Sequence, residues 1–115
     1  MDLKVRTREV KGVMILDFSG RLVMGDACAT LRDEVRDAMS HGPKKVLVNL
    51  AEVSYIDSAG LGELTGAYTS VKNRDGELKL LNLTKKVHDL LQIKKLYTVF
   101  DVKDDEASAI SSFTK

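Results

Sequence analysis

Lys45-Val46-Leu47-Val48-Asn49-Leu50, near the middle of the chain, carries apolar side chains almost without alternation. Successive side chains of a strand point to opposite faces, so a strand with one wet face alternates. A strand that does not alternate buries both faces, as a central strand does in a parallel sheet covered by helices. The neighbouring segments supply those helices. Ala27, Leu31, Val35, Ala38 and Met39 recur at helical spacing before the strand. Leu61, Leu64, Tyr68 and Val71 form a single stripe after it.

The rest of the chain fits this frame. Leu3 to Val10 reads as a modest edge strand, with Leu3, Val5, Thr7 and Glu9 on one face. Lys11-Gly12 marks a turn, and Val13 to Phe18 reads as a second strand paired with the first as a hairpin. Gly20 to Gly25 reads as a loop, with Asp26 capping the first helix and His41-Gly42-Pro43 ending it. Ser58 or Asp57 opens the second helix, and Asn73-Arg74-Asp75-Gly76 stops it. Leu78 to Asn82 reads as a strand, Thr84 caps a short helix with Val87, Leu90 and Leu91, and Tyr97 to Phe100 reads as a last strand. Asp104 is the expected cap of a final helix carrying Ala107, Ile110 and Phe113. Strands and helices that alternate after an opening hairpin predict an α/β fold: a mixed, mostly parallel sheet with about four helices packed on it. At 115 residues, without repeat or linker, residues 1–115 are expected to form one domain.

Composition narrows the function classes. The 18 basic and 17 acidic side chains leave a formal charge of +1, so there is no general attraction to nucleic acid or to an anionic membrane. Local basic residues (Lys85, Lys86, Lys94, Lys95) and acidic ones (Asp101, Asp104, Asp105, Glu106) read as solvated faces around helix ends. Cys28 is the only cysteine and is accompanied by two histidines, too few for a zinc site. A reducing cytoplasm is the expected setting. No apolar run is long enough to span a bilayer, and the start of the chain has no apolar signal core, so membrane insertion is not expected.

The segment with most chemical content is Val53-Ser54-Tyr55-Ile56-Asp57-Ser58-Ala59-Gly60-Leu61-Gly62. It follows the buried strand and opens an amphipathic helix. A serine there sits among unpaired backbone N–H groups at the positive end of the helix dipole. Ala59, Gly60 and Gly62 leave that end bare, so another backbone can approach. Residue type and position alone favour a plain helix cap for Ser58 over a modification site, since a serine before a helix is usually a cap, and Asp57 has the same duality.

Read together, these segments resemble the STAS domain family, the fold of sulfate-transporter and anti-sigma-antagonist domains. Tyr55-Ile56-Asp57-Ser58-Ala59-Gly60-Leu61-Gly62 is similar to the family's phosphorylation-site loop. Phe18-Ser19-Gly20-Arg21-Leu22, Lys45 to Leu50, and Leu78 to Leu83 with Val87 to Leu91 resemble its other elements. The resemblance implies an anti-sigma factor antagonist, phosphorylated at Ser58 by an anti-sigma factor that is also a serine kinase of the histidine-kinase-like ATPase fold. A serine phosphatase would reverse the modification. It implies a partner surface made of Asp57, Ser58, Ala59, Gly60, Gly62 and Glu63 with Val23, Met24 and Gly25. The alternative within the same family is a scaffold subunit of a stress-sensing complex or of a lipid-transport system. Many members carry aspartate where this chain has Asn49, which removes a charge expected near the loop.

Other readings are weaker. The apolar residues of Leu22-Val23-Met24-Gly25 suit either an interface or a place under the first helix. Leu61, Leu64 and Tyr68 suit the core, and Glu63 and Thr65 the outward face. A catalytic role for Ser58 would need a Gly-x-Ser-x-Gly elbow and a base, and neither His41 nor His88 is patterned to serve. No Gly-rich phosphate loop is present, and no cofactor is expected.

Overall fold

The computed structural model describes residues 3–40 and 44–113. Five strands form one sheet in sequence order. β1 (Lys4–Val10) and β2 (Val13–Leu22) are the antiparallel hairpin, in register from Lys4 opposite Ser19 to Val10 opposite Val13. β3 (Lys45–Ile56), β4 (Glu77–Leu81) and β5 (Val102–Lys103) add in turn, each parallel to the strand before it. The crossovers contain α1 (Asp26–Met39), α2 (Ser58–Asn73) and α3 (Lys85–Ile93). All three advance across the sheet in the same direction. Parallel crossovers are right-handed, so all three helices fall on the same face. The last helix, α4 (Glu106–Ser111), lies on the other face.

The pleat of β3 shows why its sequence does not alternate. Val46, Val48 and Leu50 join Leu31, Val35, Leu64, Val71, Val87 and Leu91 in the main core under α1, α2 and α3. Leu47, pointing the other way, joins Val13, Ile15 and Leu81 beneath Ala109 of α4 and Phe113, which the sequence placed in that helix but which lies just after it. The stripe of α2 is also as expected, with Leu61, Leu64 and Val71 buried and Tyr68 edge-on to Phe100 at 5.4 Å.

Several local expectations are corrected. β2 continues through Gly20-Arg21-Leu22, because these residues pair with the distal half of β3 across two register shifts. β3 likewise runs on to Ile56. Asp26 is the first residue of α1 and not its cap. Gly25 holds the capping position at φ 103°, with no side-chain cap bond, a conformation that glycine adopts without a Cβ clash. Tyr97-Thr98-Val99 is a turn, and the last strand is Val102–Lys103, whose partners are Leu80 and Leu81. Asp105, not Asp104, caps α4, its carboxylate accepting from Ser108 N at 2.9 Å. Thr84 caps α3 as expected. His41-Gly42-Pro43 lies outside the described residues.

The face under α4 is stitched by charge. The Arg8 guanidinium on β1 donates to Asp17 on β2 at 2.6 and 3.2 Å and to Glu106 on α4 at 2.6 and 2.9 Å. Asn49 donates to Asp17 at 2.8 Å and accepts from Ala51 N at 3.1 Å. The charge that Asn49 lacks is therefore missing from this face, not from the Ser58 loop. Asn49 and Ile56 are roughly 23 Å apart along β3, at about 3.3 Å per residue. Lys79, 8% exposed, donates to the Ser112 carbonyl and hydroxyl and pairs with Asp101, which ties down the end of α4.

Hydrogen bonds from Arg8 are the main cause that holds both Asp17 and Glu106 below the ordinary carboxylate range. A depressed folded-state pKa contributes stability above the ordinary range, and that stability is lost as pH falls through the depressed value. Urea midpoints are therefore expected to fall as pH drops from about 5 toward 2. Arg8→Gln should flatten that fall. Equal acid sensitivity in the two proteins would show that the clamp does not carry it.

Candidate functional site

Asp57 and Ser58 stand where β3 hands over to α2. Asp57 occupies the capping position in an extended conformation, and its Oδ1 accepts from Gly60 N at 2.7 Å. Its Oδ2 accepts from Met24 N at 3.0 Å. Its own N–H donates to the Leu22 carbonyl at 3.2 Å. One side chain thus caps the helix and ties it to the loop after β2. The Met24 N–H, followed by that of Gly60, lowers the Asp57 pKa from its ordinary value.

Ser58 is left without the capping role. It is the first residue of α2 and is exposed, and its hydroxyl makes no hydrogen bond among the described residues. Of the two readings open in the sequence, the plain cap belongs to Asp57. Among the described residues no base is hydrogen-bonded to Ser58, and the His88 ring packs edge-on to Tyr97 at 4.6 Å; His41 lies outside the described residues. What the site offers is a free hydroxyl over the positive end of a helix, which favours added negative charge.

The fold brings the expected loop to this point and divides its residues. Leu22 is buried, Val23 is half-buried, and Met24 projects at 75% exposure. Gly25 is exposed. Cys28 lies behind this loop, its thiol donating to the Val23 carbonyl at 3.4 Å. Burial, then the charges of Glu63 and Asp57, push that thiol's pKa up, so it is a poor nucleophile.

The glycines also divide. Gly60 is buried, and a Cβ there would lie 2.1 Å from the Leu22 carbonyl oxygen. Its expected place on the partner surface is thereby corrected: glycine is needed for the start of α2 to pack against the end of β2. Gly62 is exposed with nothing within 4 Å of its Cβ position. Gly62→Ala is expected to stabilise the free domain by about 0.5–1 kcal/mol, since glycine inside a helix is that much worse than alanine. Thermal or urea unfolding checks the sign. Ala59 is half-buried. Glu63 is clasped by Arg32 of α1 in a two-pronged bond of 2.7 and 3.2 Å. Thr65 turns its hydroxyl back to the Leu61 carbonyl at 2.9 Å.

The sequence reading missed the flank on the α3 side. Tyr55 and Ile56 line an apolar groove with Val87, Leu90 and Ile93, and Ile93 is 75% exposed. Arg21 and Lys86 stand over the Tyr55 ring at 5.6 and 5.9 Å. Lys94 and Leu96 share a smaller hollow with Ser58, Leu61 and Gly62. An exposed isoleucine at the end of a short helix is indistinguishable in sequence from a buried one, so only the packing reveals this flank.

Comparison with known proteins agrees with this architecture. Residues 4–109 match the model of the STAS domain. The anti-sigma F factor antagonist of Paenibacillus polymyxa is 26% identical over 116 residues, covering 96% of this chain and 95% of that protein. The anti-sigma-B factor antagonist of Listeria monocytogenes is 33% identical over 88 residues, covering 73% and 77%. The crystal structure of an anti-sigma factor antagonist from Mycobacterium paratuberculosis superposes with a TM-score of 0.81 at 15% identity, covering 96% of this chain and 93% of that one. With the family model spanning nearly the whole sheet and its helices, the chain belongs to the STAS domain family.

Proposed function

We propose that this protein is an anti-sigma factor antagonist whose grip on its partner is switched by phosphorylation of Ser58. The observation that carries the reading is the division of labour at the start of α2. Asp57 takes the cap, and the Ser58 hydroxyl is left exposed and unbonded. The names of relatives that match over most of their length support the antagonist role. A related fold has been solved in its phosphorylated form, as SpoIIAA of Bacillus.

In this mechanism the unmodified protein docks through Met24, Gly25, Ser58, Ala59 and Gly62 onto an anti-sigma factor that is also a serine kinase of the histidine-kinase-like ATPase fold. Docking frees the sigma factor. Phosphate brings about −1.5 to −2 charges near neutral pH. The positive end of the α2 dipole accommodates that charge without unfolding the domain. Inside the interface, beside the Asp57 carboxylate, the same charge is repelled and costly to desolvate, and the complex opens. A serine phosphatase resets the cycle. The domain acts in the cytoplasm as a binding module, not as an enzyme; among the described residues no helix is long and apolar enough to cross a membrane.

The test is incubation with the anti-sigma kinase and ATP, followed by intact mass and peptide mapping. The expected result is one phosphate on Ser58 and none on Ser58→Ala. A protein that stays unmodified, or is modified elsewhere with release unaffected, removes the switch.

A further inference from the structure

A second concavity lies between α1 and α2, along their solvent side. It has a volume of about 340 Å³ and is lined by Arg32, Arg36 and Arg74 over a floor that includes Val35, Gly66 and Ser70. We propose that this groove binds a compact polyanion, a small molecule bearing phosphate or clustered carboxylates, and that binding acts on the Ser58 face through the Arg32–Glu63 pair.

Arg32 and Arg36 of α1 and Arg74, the residue that ends α2, line one groove. A guanidinium presents its donors in a rigid fork that matches phosphate or carboxylate oxygens two at a time. Two carboxylates already stand here. Glu63 holds Arg32 at 2.7 Å, and Asp33 reaches Arg36 at only 3.4 Å on an open surface. The Arg74 guanidinium makes no hydrogen bond or ion pair among the described residues. An anion in the groove therefore meets one pre-oriented guanidinium (Arg32), one weakly engaged (Arg36) and one without an ion pair among the described residues (Arg74), with Ser70 in the lining as a further donor.

The floor is open because of Gly66, which has nothing within 4 Å of its Cβ position. Gly66 lies mid-helix, is exposed, and has no neighbour that requires glycine, so a side chain there would extend into the groove rather than into the core.

Arg32 provides the coupling. It bridges α1 to Glu63, which stands in the second turn of α2, five residues after Ser58. An anion that draws Arg32 away leaves the Glu63 carboxylate free near the docking face. The groove itself does not depend on whether Ser58 is phosphorylated.

The test is titration of the full chain with pyrophosphate and, separately, citrate at physiological ionic strength, followed by backbone amide NMR. The expected result is saturable shifts centred on residues 32–39 and 63–74 and reaching Ser58 to Gly62, with at least one probe; groove shifts that leave Ser58 to Gly62 unmoved would overturn the coupling. Binding by pyrophosphate alone assigns a phosphate ligand, and binding by citrate alone a carboxylate one. The double variant R36Q/R74Q should weaken binding by at least about tenfold, since each lost bond is charge-assisted. Gly66→Leu should weaken it similarly while every charge is kept, which diffuse attraction to a basic surface would not do. Unsaturable shifts with both probes, or wild-type affinity in Gly66→Leu, would overturn the proposal.

Discussion

Gly60→Ala is expected to destabilise the domain by about 3 kcal/mol or more, from overpacking against a rigid backbone and partial loss of a helix cap. The added methyl would sit 2.1 Å from the Leu22 carbonyl oxygen and 2.9 Å from its carbonyl carbon. Those atoms belong to β2, which cannot yield without breaking its ladder with β3 at Leu22 and Ile56. The helix start must retreat instead. Retreat stretches the Gly60 N to Asp57 bond at 2.7 Å and the Asp57 N to Leu22 bond at 3.2 Å, and it pulls Leu61 and Leu64 out of the core. A domain of this size is typically stable by only about 5–15 kcal/mol, so the loss will show as a large fall in the urea midpoint. Gly62→Ala, two residues on, has the opposite expected sign. Equal midpoints for the two variants would sink the close-packing account of Gly60.

Ser58→Asp is expected to weaken binding to the anti-sigma partner by at least about a hundredfold, the loss typical when a charge is buried without a counter-charge. Ser58→Ala should bind within a few-fold of wild type, because the hydroxyl has no internal bond to lose. Stability should move the other way. Aspartate in the first turn favours the helix dipole by about 0.3–1 kcal/mol, so Ser58→Asp should unfold no more easily than wild type. Were Ser58 the cap, Ser58→Ala would cost about 1 kcal/mol. Calorimetric binding and urea unfolding of the same three proteins separate the cases. Poor binding by a destabilised Ser58→Asp would mean damage and not a switch.

The architecture was legible where one chemical pattern allows one structure. The nearly continuous apolar run from Val46 to Leu50, interrupted only by Asn49, has no place but between two covered faces, and the stripe at Leu61, Leu64 and Val71 has no period but a helical one. The ends of elements were less legible, because several residues at each end can serve as cap or bridge. Asp26, Asp104 and Asp105 are all competent caps by residue type, and the choice among them depends on where the preceding strand delivers the chain. Tyr97 to Phe100 has strand-forming residues, yet only Val102 and Lys103 reach Leu80 and Leu81.

The candidate site divides in the same way. Sequence alone placed Ser58 and Asp57 at a helix start after a buried strand, since local pattern and capping chemistry are short-range properties. It also set Met24 beside them as an expectation of topology. Only the tertiary structure decided that Asp57 caps while Ser58 stays free, because that choice depends on a second bond from Met24 N, 33 positions away in the chain. Only it showed that Gly60 is buried, that Asn49 serves the opposite face, and that Arg32 holds Glu63. Each of those facts is a contact between segments distant in sequence, and no local pattern of residues encodes which distant partner arrives.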